Sequence, residues 1–113
     1  MSRVIFSIQY EINPDKKAEY LDIARELKNL VKAEGLESYS IFELKGKKNI
    51  YGEIHVFENK EAYENFEDSG DERLDILMDK LSSLIVEGST QYKTYFEVWS
   101  KFVIFKTFQI ALH

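Results

Sequence analysis

The stretch YGEIHVFENKEAYENFEDS, residues 51–69, determines how this chain folds. With the preceding Ile50 it starts as a run of branched and aromatic residues up to Phe57, which is typical of a β-strand. Asn59 then provides a side chain that can cap a helix, and the helix has a short apolar face made of Ala62, Tyr63 and Phe66. The Ser-Gly-Asp sequence at residues 69–71 interrupts it. The stretch therefore predicts a strand that leads directly into a short helix.

Upstream of this stretch the sequence predicts a strand, a long helix and a second strand. Alternate residues from Val4 to Ile12 are apolar, the period of two that marks a strand. Asn13 and Pro14 are typical of a helix start, and apolar residues spaced by three and four continue the helix to near Glu34. A run rich in aromatic and branched residues from Glu37 to Leu44 is followed by a polar turn, so we expect a hairpin with the next strand.

Downstream, apolar residues from Leu74 to Ile85 form the clearest amphipathic helix of the chain. Tyr92 to Trp99 alternate as a fourth strand, and Phe102 to Leu112 as a fifth. We predict one domain at residues 1–99 and a C-terminal strand extension at residues 100–113. The order βαββαβ predicts an α+β, ferredoxin-like fold with an antiparallel sheet, in which the first and third strands are central and both helices cover one face.

Composition excludes several classes of function. The 113 residues include 20 acids and 15 bases, a net charge of −5 that repels nucleic acid and anionic membrane surfaces. There is no cysteine, so neither disulfides nor thiol chemistry are available, which fits a reducing compartment. The first ten residues lack the apolar run of a signal peptide or membrane span. We therefore expect a cytoplasmic protein with no nucleic-acid or membrane partner.

The uncovered face of the predicted sheet indicates a homodimer. We assign even-numbered strand residues to the core beneath the helices: Phe6, Ile8, Phe42, Leu44, Ile54, Val56, Phe96 and Val98. The odd-numbered residues then form a face too aromatic to be simply solvated: Gln9, Glu11, Tyr39, Ile41, Tyr51, Glu53, His55, Phe57, Tyr95, Glu97 and Trp99. A second copy of the chain is the commonest cover for such a face, and the apolar tail is predicted to contribute to the contact.

Residues 51–69 resemble a segment of the antibiotic-biosynthesis-monooxygenase-like family of dimeric α/β barrels. In that family a strand with a glutamate and a large aromatic residue leads through a short turn into a Glu-Ala pair and a helix; the corresponding residues here are Glu53, Phe57, Glu61, Ala62 and Phe66. The order of elements from residue 4 to residue 99 agrees, and the tail lies outside the match. The resemblance implies the fold more closely than the reaction, because the family includes cofactor-independent oxygenases, haem-degrading enzymes and members without an assigned reaction.

No cofactor is predicted. The haem-degrading branch of the family ligates iron with a helix histidine, and residues 72–82 contain none, although Gln9 resembles that branch's strand amide. A cluster of Glu11, Glu53 and Glu97 with His55 could bind a hard cation. Glutamates at strand ends are more often solvated or paired with lysines, so we predict no metal site.

The candidate catalytic residues are His55, Gln9 and Tyr51. Imidazole titrates near neutral pH, so His55 can accept a phenolic proton, with Gln9 or Tyr51 orienting the oxygen and Glu11 or Glu53 holding the imidazole tautomer. The remaining candidate substrate-binding residues supply an aromatic and polar lining: Tyr39, Tyr95, Glu97 and Trp99. The alternative is that His55 and these aromatic residues only pack at an interface.

Two functions follow from the family resemblance together with these residues. The first is a cofactor-independent, monooxygenase-like enzyme for a small planar aromatic substrate bound between sheet and helices. The second is a non-catalytic dimer that binds a small aromatic molecule or another protein. Turnover of a substrate would favour the enzyme, and copurification of an unchanged ligand would favour the binding protein.

Overall fold

A four-stranded antiparallel sheet is the centre of the fold in the computed structural model, which describes residues 2–66 and 71–98. Its strands lie in the order β2-β3-β1-β4, so the first and third strands are central, as predicted. This confirms the α+β, ferredoxin-like fold. The strands are β1 (Val4–Glu11), β2 (Leu36–Glu43), β3 (Ile50–Phe57) and β4 (Gln91–Phe96).

Three α-helices accompany the sheet in the part of the chain that the structure describes: α1 (Lys17–Leu30), α2 (Lys60–Glu64) and α3 (Glu72–Leu84). The predicted cap of α2 is confirmed, because Asn59 Oδ1 accepts the Ala62 backbone N–H at 2.8 Å. The predicted cap of the first helix is wrong. Residues Pro14–Lys16 form a 3-10 turn without a side-chain cap, and the Asn13 amide instead donates to the Leu84 carbonyl at 3.4 Å.

The junction of β3 and α2 packs closely against the loop before β2. Gly35 has φ +79°, and a Cβ at that position would lie 2.4 Å from the Cβ of Ala62. The Glu58 backbone N–H donates to the Gly35 carbonyl at 2.8 Å. A glycine is needed here both for its backbone conformation and for this close approach. Helix α1 ends earlier than predicted, at Leu30, so Gly35 serves this contact rather than the helix end.

The segment after α3 closes one end of the domain. It pairs with the end of β1 through a bridge between Ile12 and Ile85, and the Val86 backbone N–H donates to the Glu11 carbonyl at 2.8 Å. The Ser89 hydroxyl accepts the Glu11 backbone N–H at 3.1 Å. These bonds hold the segment over the sheet, where it forms part of the wall of the candidate site.

The pairing of the strands corrects the predicted faces. Directly opposed residues share a face, and His55 lies opposite both Phe6 on β1 and Tyr39 on β2. Even positions therefore face the helices on β1 and β4, as predicted, whereas odd positions do so on β2 and β3. The predicted core residues Phe42, Leu44, Ile54 and Val56 are not buried.

The buried core lies between the sheet and helices α1 and α3. Its central residues are tyrosines and aliphatic side chains from the sheet and the helices: Tyr10, Ile12, Tyr20, Ile23, Leu27, Tyr39, Tyr51, Leu74, Leu77, Leu81 and Leu84. Predicted core residues Phe6 and Ile8 are half-buried beside it. Phe96 and Val98 are 55% and 83% exposed, so they are not core residues.

The opposite face of the sheet, which we call the outer face, carries Ile5, Phe42, Ile54, Val56 and Tyr95. Phe42 and Tyr95 are 57% and 54% exposed. The outer face therefore combines apolar side chains with polar ones such as Ser7, Gln9 and Glu11, and its residues on β2 and β3 differ from the predicted ones.

Some predictions fall outside the described residues, among them the fifth strand, the tail contact and Trp99. No helix among residues 2–66 and 71–98 combines the length and apolar character needed to cross a membrane.

Candidate functional site

A buried carboxylate on the central strand β3 is the polar centre of the helix-facing side. Glu53 is 2% exposed, and both of its oxygens accept hydrogen bonds from tyrosines. Tyr39 Oη donates to Oε1 at 2.7 Å, and Tyr10 Oη donates to Oε2 at 2.7 Å. A buried charge requires such partners, because water no longer solvates it. These bonds explain how a glutamate is accommodated at a core position.

A third tyrosine extends this chain of hydroxyls. Tyr10 Oη and Tyr20 Oη lie 2.9 Å apart. Because the single hydroxyl hydrogen of Tyr10 is donated to Glu53, Tyr20 must be the donor to Tyr10. We call Tyr10, Tyr20, Tyr39 and Glu53 the tyrosine–glutamate network. It links α1, β1, β2 and β3 through directed hydrogen bonds.

Burial makes the phenols of this network harder to ionise. Burial, with the adjacent negative charge of Glu53, raises the pKa of Tyr10 above its ordinary value of 10.0. Burial also raises the pKa of Tyr20. Both phenols therefore keep their protons at neutral pH and act as hydrogen-bond donors.

His55 lies two residues further along β3, on the same face as Glu53, and is 4% exposed. Its Nδ1 lies 3.1 Å from the Phe6 carbonyl oxygen. A carbonyl oxygen can only accept, so Nδ1 carries the hydrogen in this bond. In the neutral imidazole, Nε2 is then the nitrogen that can take up a proton.

Aromatic rings surround the imidazole. Ring centroids lie 4.9 Å away at Tyr39, 5.3 Å at Phe6 and 5.5 Å at Phe66. Phe57 stacks at 6.3 Å with nearly parallel planes. Phe57 and Phe66 belong to the stretch at residues 51–69, so the residues that predict the fold also enclose the histidine.

A cavity of about 460 Å³ opens beside Glu53 and His55, and we call it the His55 cavity. This volume lies within the usual range for small-molecule sites. The walls come from β1, β3, β4, α3, the segment after α3 and the residue Phe66 after α2, and most are apolar. The lining residues are Phe6, Ile8, Tyr10, Glu53, His55, Phe66, Met78, Leu81, Ser82, Ile85, Val86, Glu87, Gly88, Thr90 and Tyr92.

The structure separates the predicted catalytic residues. His55 lines the cavity, but Gln9 lies opposite Gly52 on the outer face, so the predicted convergence of Gln9 and His55 is wrong. Tyr51 is on the helix-facing side and lines a different depression, between α1 and β2. Of the predicted site residues, the cavity brings together one histidine, His55, and one carboxylate, Glu53.

The predicted substrate-binding residues are also divided. Tyr39 contacts His55 from β2, while Glu11 and Tyr95 lie on the outer face. Glu97 pairs with Arg3 at 3.3 Å, and hydrogen bonds from Arg3 lower the pKa of Glu97. A carboxylate cluster of Glu11, Glu53 and Glu97 is therefore ruled out by position. The described residues contain no group of three or more His, Asp or Glu side chains that could hold a metal ion.

Sequence reasoning did not identify Tyr10 and Tyr20 as site residues. Tyr10 was predicted only as one of the alternating apolar positions of the first strand. The signal that could have found it is a tyrosine among aliphatic residues at a core position, since a buried phenol needs a hydrogen-bond partner. Glu53 on the facing strand is that partner.

The sequence also matches a known family. The family model described as antibiotic biosynthesis monooxygenase matches residues 3–73, well over half of the chain. The chain belongs to this family. Its matched region contains β1, β2, β3 and the polar residues of the tyrosine–glutamate network.

Solved structures agree with the family in their fold. A proposed antibiotic biosynthesis monooxygenase from Nitrosomonas europaea has a TM-score of 0.70 at 8% identity, over 86% of this chain and 91% of that one. A variant of SnoaB, a cofactor-independent oxygenase from Streptomyces nogalater, has a TM-score of 0.66 at 13% identity, over 88% of this chain and 96% of that one. A conserved protein from Methanosarcina mazei Go1 has a TM-score of 0.68 at 14% identity, over 84% of this chain and 92% of that one. At these identities the likeness shows the fold alone, and no curated protein matches the sequence significantly.

Proposed function

We propose that this member of the family is a cofactor-independent monooxygenase that oxidises a small planar phenol in the His55 cavity. The observation that carries the proposal is the placement of one imidazole and one buried carboxylate in an otherwise mainly apolar cavity of about 460 Å³. Family membership supports the reaction class, and the aromatic walls support a flat apolar substrate.

In the proposed reaction His55 Nε2 takes the phenolic proton. The phenolate carries negative charge on the ring carbon opposite its oxygen, and that carbon attacks dioxygen to form a carbon–oxygen bond. The proton on His55 then passes to the outer peroxide oxygen, which gives a hydroperoxide. Loss of the ring hydrogen and cleavage of the oxygen–oxygen bond then release water and leave a quinone. The substrate supplies all four electrons that reduce dioxygen, so no external reductant is required.

The remaining groups of the site stabilise charge and exclude water. Glu53 lies on the same strand face as His55, and its negative charge favours the imidazolium that forms during proton transfer. The bonds from Tyr10 and Tyr39 hold that carboxylate in one position. Gln9 and Tyr51 lie outside this cavity, so in this proposal they do not take the predicted role of orienting the substrate oxygen.

Oxygen consumption with 1-naphthol as substrate tests this function. We expect the wild-type protein to consume one dioxygen per quinone formed. His55→Ala should lower the rate by about 10²- to 10⁴-fold, the usual contribution of a general base. The matched control is Ser83→Ala on the exposed side of α3, whose hydroxyl donates only to the Lys80 carbonyl of its own helix.

Full activity of a folded His55→Ala variant would eliminate the proposed role of the histidine. Binding of 1-naphthol without oxygen consumption would favour the alternative of a non-catalytic binding protein.

We also propose that the protein is a homodimer joined through the outer face. The apolar side chains of Ile54 and Val56 on the central strand support this, because an uncovered apolar sheet face is unfavourable in water. Ile54→Lys should convert the dimer to a monomer in light scattering. Ile76→Lys, at an exposed position on α3, is the matched control and should remain dimeric. A monomeric wild-type protein would contradict the proposal.

Residues 100–113 are proposed to add to the dimer contact, and their deletion should weaken it. A tail-deleted protein that stays a soluble dimer would exclude this. The lack of cysteine supports a reducing compartment such as the cytoplasm as the place of action.

A further inference from the structure

A groove of about 780 Å³ lies between α1 and β2, and we call it the α1–β2 groove. It shares no lining residue with the His55 cavity. The tyrosine–glutamate network touches both, because Tyr20 lines the groove and Tyr10 lines the cavity. The groove is therefore a second depression on the helix-facing side that the proposed oxidation does not use.

The groove contains a buried polar group without a partner. Tyr51 is 4% exposed, and its hydroxyl is buried without a hydrogen-bond partner among the described residues. Its ring packs against that of Tyr20 at 4.5 Å between centroids. Buried hydroxyls are nearly always hydrogen-bonded, so one that is not requires an explanation. An acceptor atom of a bound molecule would supply the missing partner.

The charges around the groove favour an anion. Lys17, Arg25 and Lys28 project from α1, against one acidic lining residue, Glu43. This excess of positive charge contrasts with the net charge of −5 of the whole chain.

The present partners of these bases leave that excess available. Lys17 is 4.0 Å from the Glu43 carboxylate. Arg25 pairs with Asp22 at a site where both side chains are 76% exposed, and such pairs are weak. Lys28 Nζ donates to the Tyr39 carbonyl and to the Ser40 hydroxyl, which are neutral acceptors.

The other walls of the groove are apolar. They consist of Leu21 and Ala24 on α1 and Ile41 and Phe42 on β2, with the tyrosine rings between them. Apolar walls with a few placed polar groups are typical of small-molecule sites. We propose that the α1–β2 groove binds an aromatic carboxylate, whose carboxylate accepts from Tyr51 Oη and is attracted by Arg25 and Lys28 while its ring lies against Leu21 and Ile41.

Calorimetric titration of the full chain with 2-naphthoate tests the site. Tyr51→Phe should weaken binding by about tenfold, since it removes one hydrogen bond to a charged group. Arg25→Gln should weaken binding severalfold, and it changes an exposed position that the fold tolerates. The matched control Lys32→Gln, just beyond the end of α1 and outside the groove, should leave the affinity unchanged. Neutral 2-naphthalenemethanol should bind at least about tenfold more weakly than 2-naphthoate.

His55→Ala should leave 2-naphthoate binding intact, because the histidine lies in the other cavity. Loss of binding in that variant, with Tyr51→Phe unaffected, would show that the ligand occupies the His55 cavity and would overturn the proposal. So would equal binding of the neutral alcohol, or no binding of 2-naphthoate at millimolar concentration. None of these results depends on whether the protein oxidises phenols.

Discussion

Tyr10 and Tyr51 face each other across β1 and β3, and the same substitution should have different effects at the two positions. Both rings are buried on the helix-facing side, at 1% and 4% exposure. Tyr10 Oη joins Tyr20 to the Glu53 carboxylate, whereas Tyr51 Oη has no hydrogen-bond partner among the described residues. Replacement by phenylalanine removes one oxygen from each ring and leaves its packing almost unchanged.

The magnitudes follow from those hydrogen bonds. Tyr10→Phe removes a bond to a carboxylate, worth about 1.5–3 kcal/mol, and a neutral bond worth about 1 kcal/mol. It also leaves an oxygen of Glu53 buried without its donor. We therefore expect the free energy of unfolding to fall by about 3 kcal/mol. Tyr51→Phe removes a hydroxyl that is desolvated without compensation, so stability should be unchanged or rise by about 1 kcal/mol.

Urea unfolding monitored by circular dichroism measures both variants against the wild type. The linear extrapolation is valid if the denaturant slope stays constant across the set. Losses that agree within about 0.5 kcal/mol at the two positions would refute the hydrogen-bond assignment, because they would mean that the two hydroxyls have equivalent surroundings.

Two further predictions concern pH and the β3–α2 junction. Because folding raises the pKa of Tyr10 and Tyr20, the unfolded chain loses these protons at lower pH than the folded protein does. The free energy of unfolding, measured from pH 8 to 11, should therefore be constant below about pH 10 and fall above it by about 1.4 kcal/mol per pH unit for each tyrosine. The decline should be shallower in Tyr10→Phe, which retains one of the two tyrosines. Gly35→Ala should lower the free energy of unfolding by about 1–2 kcal/mol because of the positive φ, and by about 1–3 kcal/mol more because the new Cβ would overlap Ala62. Gly46→Ala, at φ +82° with no atom within 4 Å, should show only the first cost in thermal unfolding, and equal losses at the two glycines would disprove the close contact.

The order of the elements could be predicted from sequence because each element carries its own local signal. Asn59 caps α2 as expected, and the alternation from Val4 onwards marks β1. The start of α1 shows the limit of such signals. Asn13 has the right residue type for a cap, but its side chain bonds the end of α3, a contact that depends on the tertiary fold.

The faces of β2 and β3 could not be predicted from alternation alone. On β3 the aliphatic residues Ile54 and Val56 were the obvious core candidates, and Glu53 and His55 the obvious surface ones. The structure reverses this, because two tyrosine hydroxyls compensate the buried carboxylate. Residue parity has no meaning from one strand to the next, since loop length sets the register, so each strand needs its partner before its buried face is known.

The exchange of faces on β2 and β3 also changes which side of the sheet is expected to bind a partner and which a ligand. Aliphatic residues placed away from the helices favour a partner subunit, and polar residues placed beneath the helices favour a site. His55 was therefore assigned to the wrong face of the sheet. Its true neighbours, among them Phe66 and Tyr39, come from elements that only the folded sheet brings together.

A crystal structure of the protein with 1-naphthol, prepared without dioxygen, tests the central claim most directly. We predict that the naphthol occupies the His55 cavity, with its hydroxyl oxygen within about 2.6–3.2 Å of His55 Nε2. An occupied outer face or α1–β2 groove beside an empty His55 cavity would contradict the account.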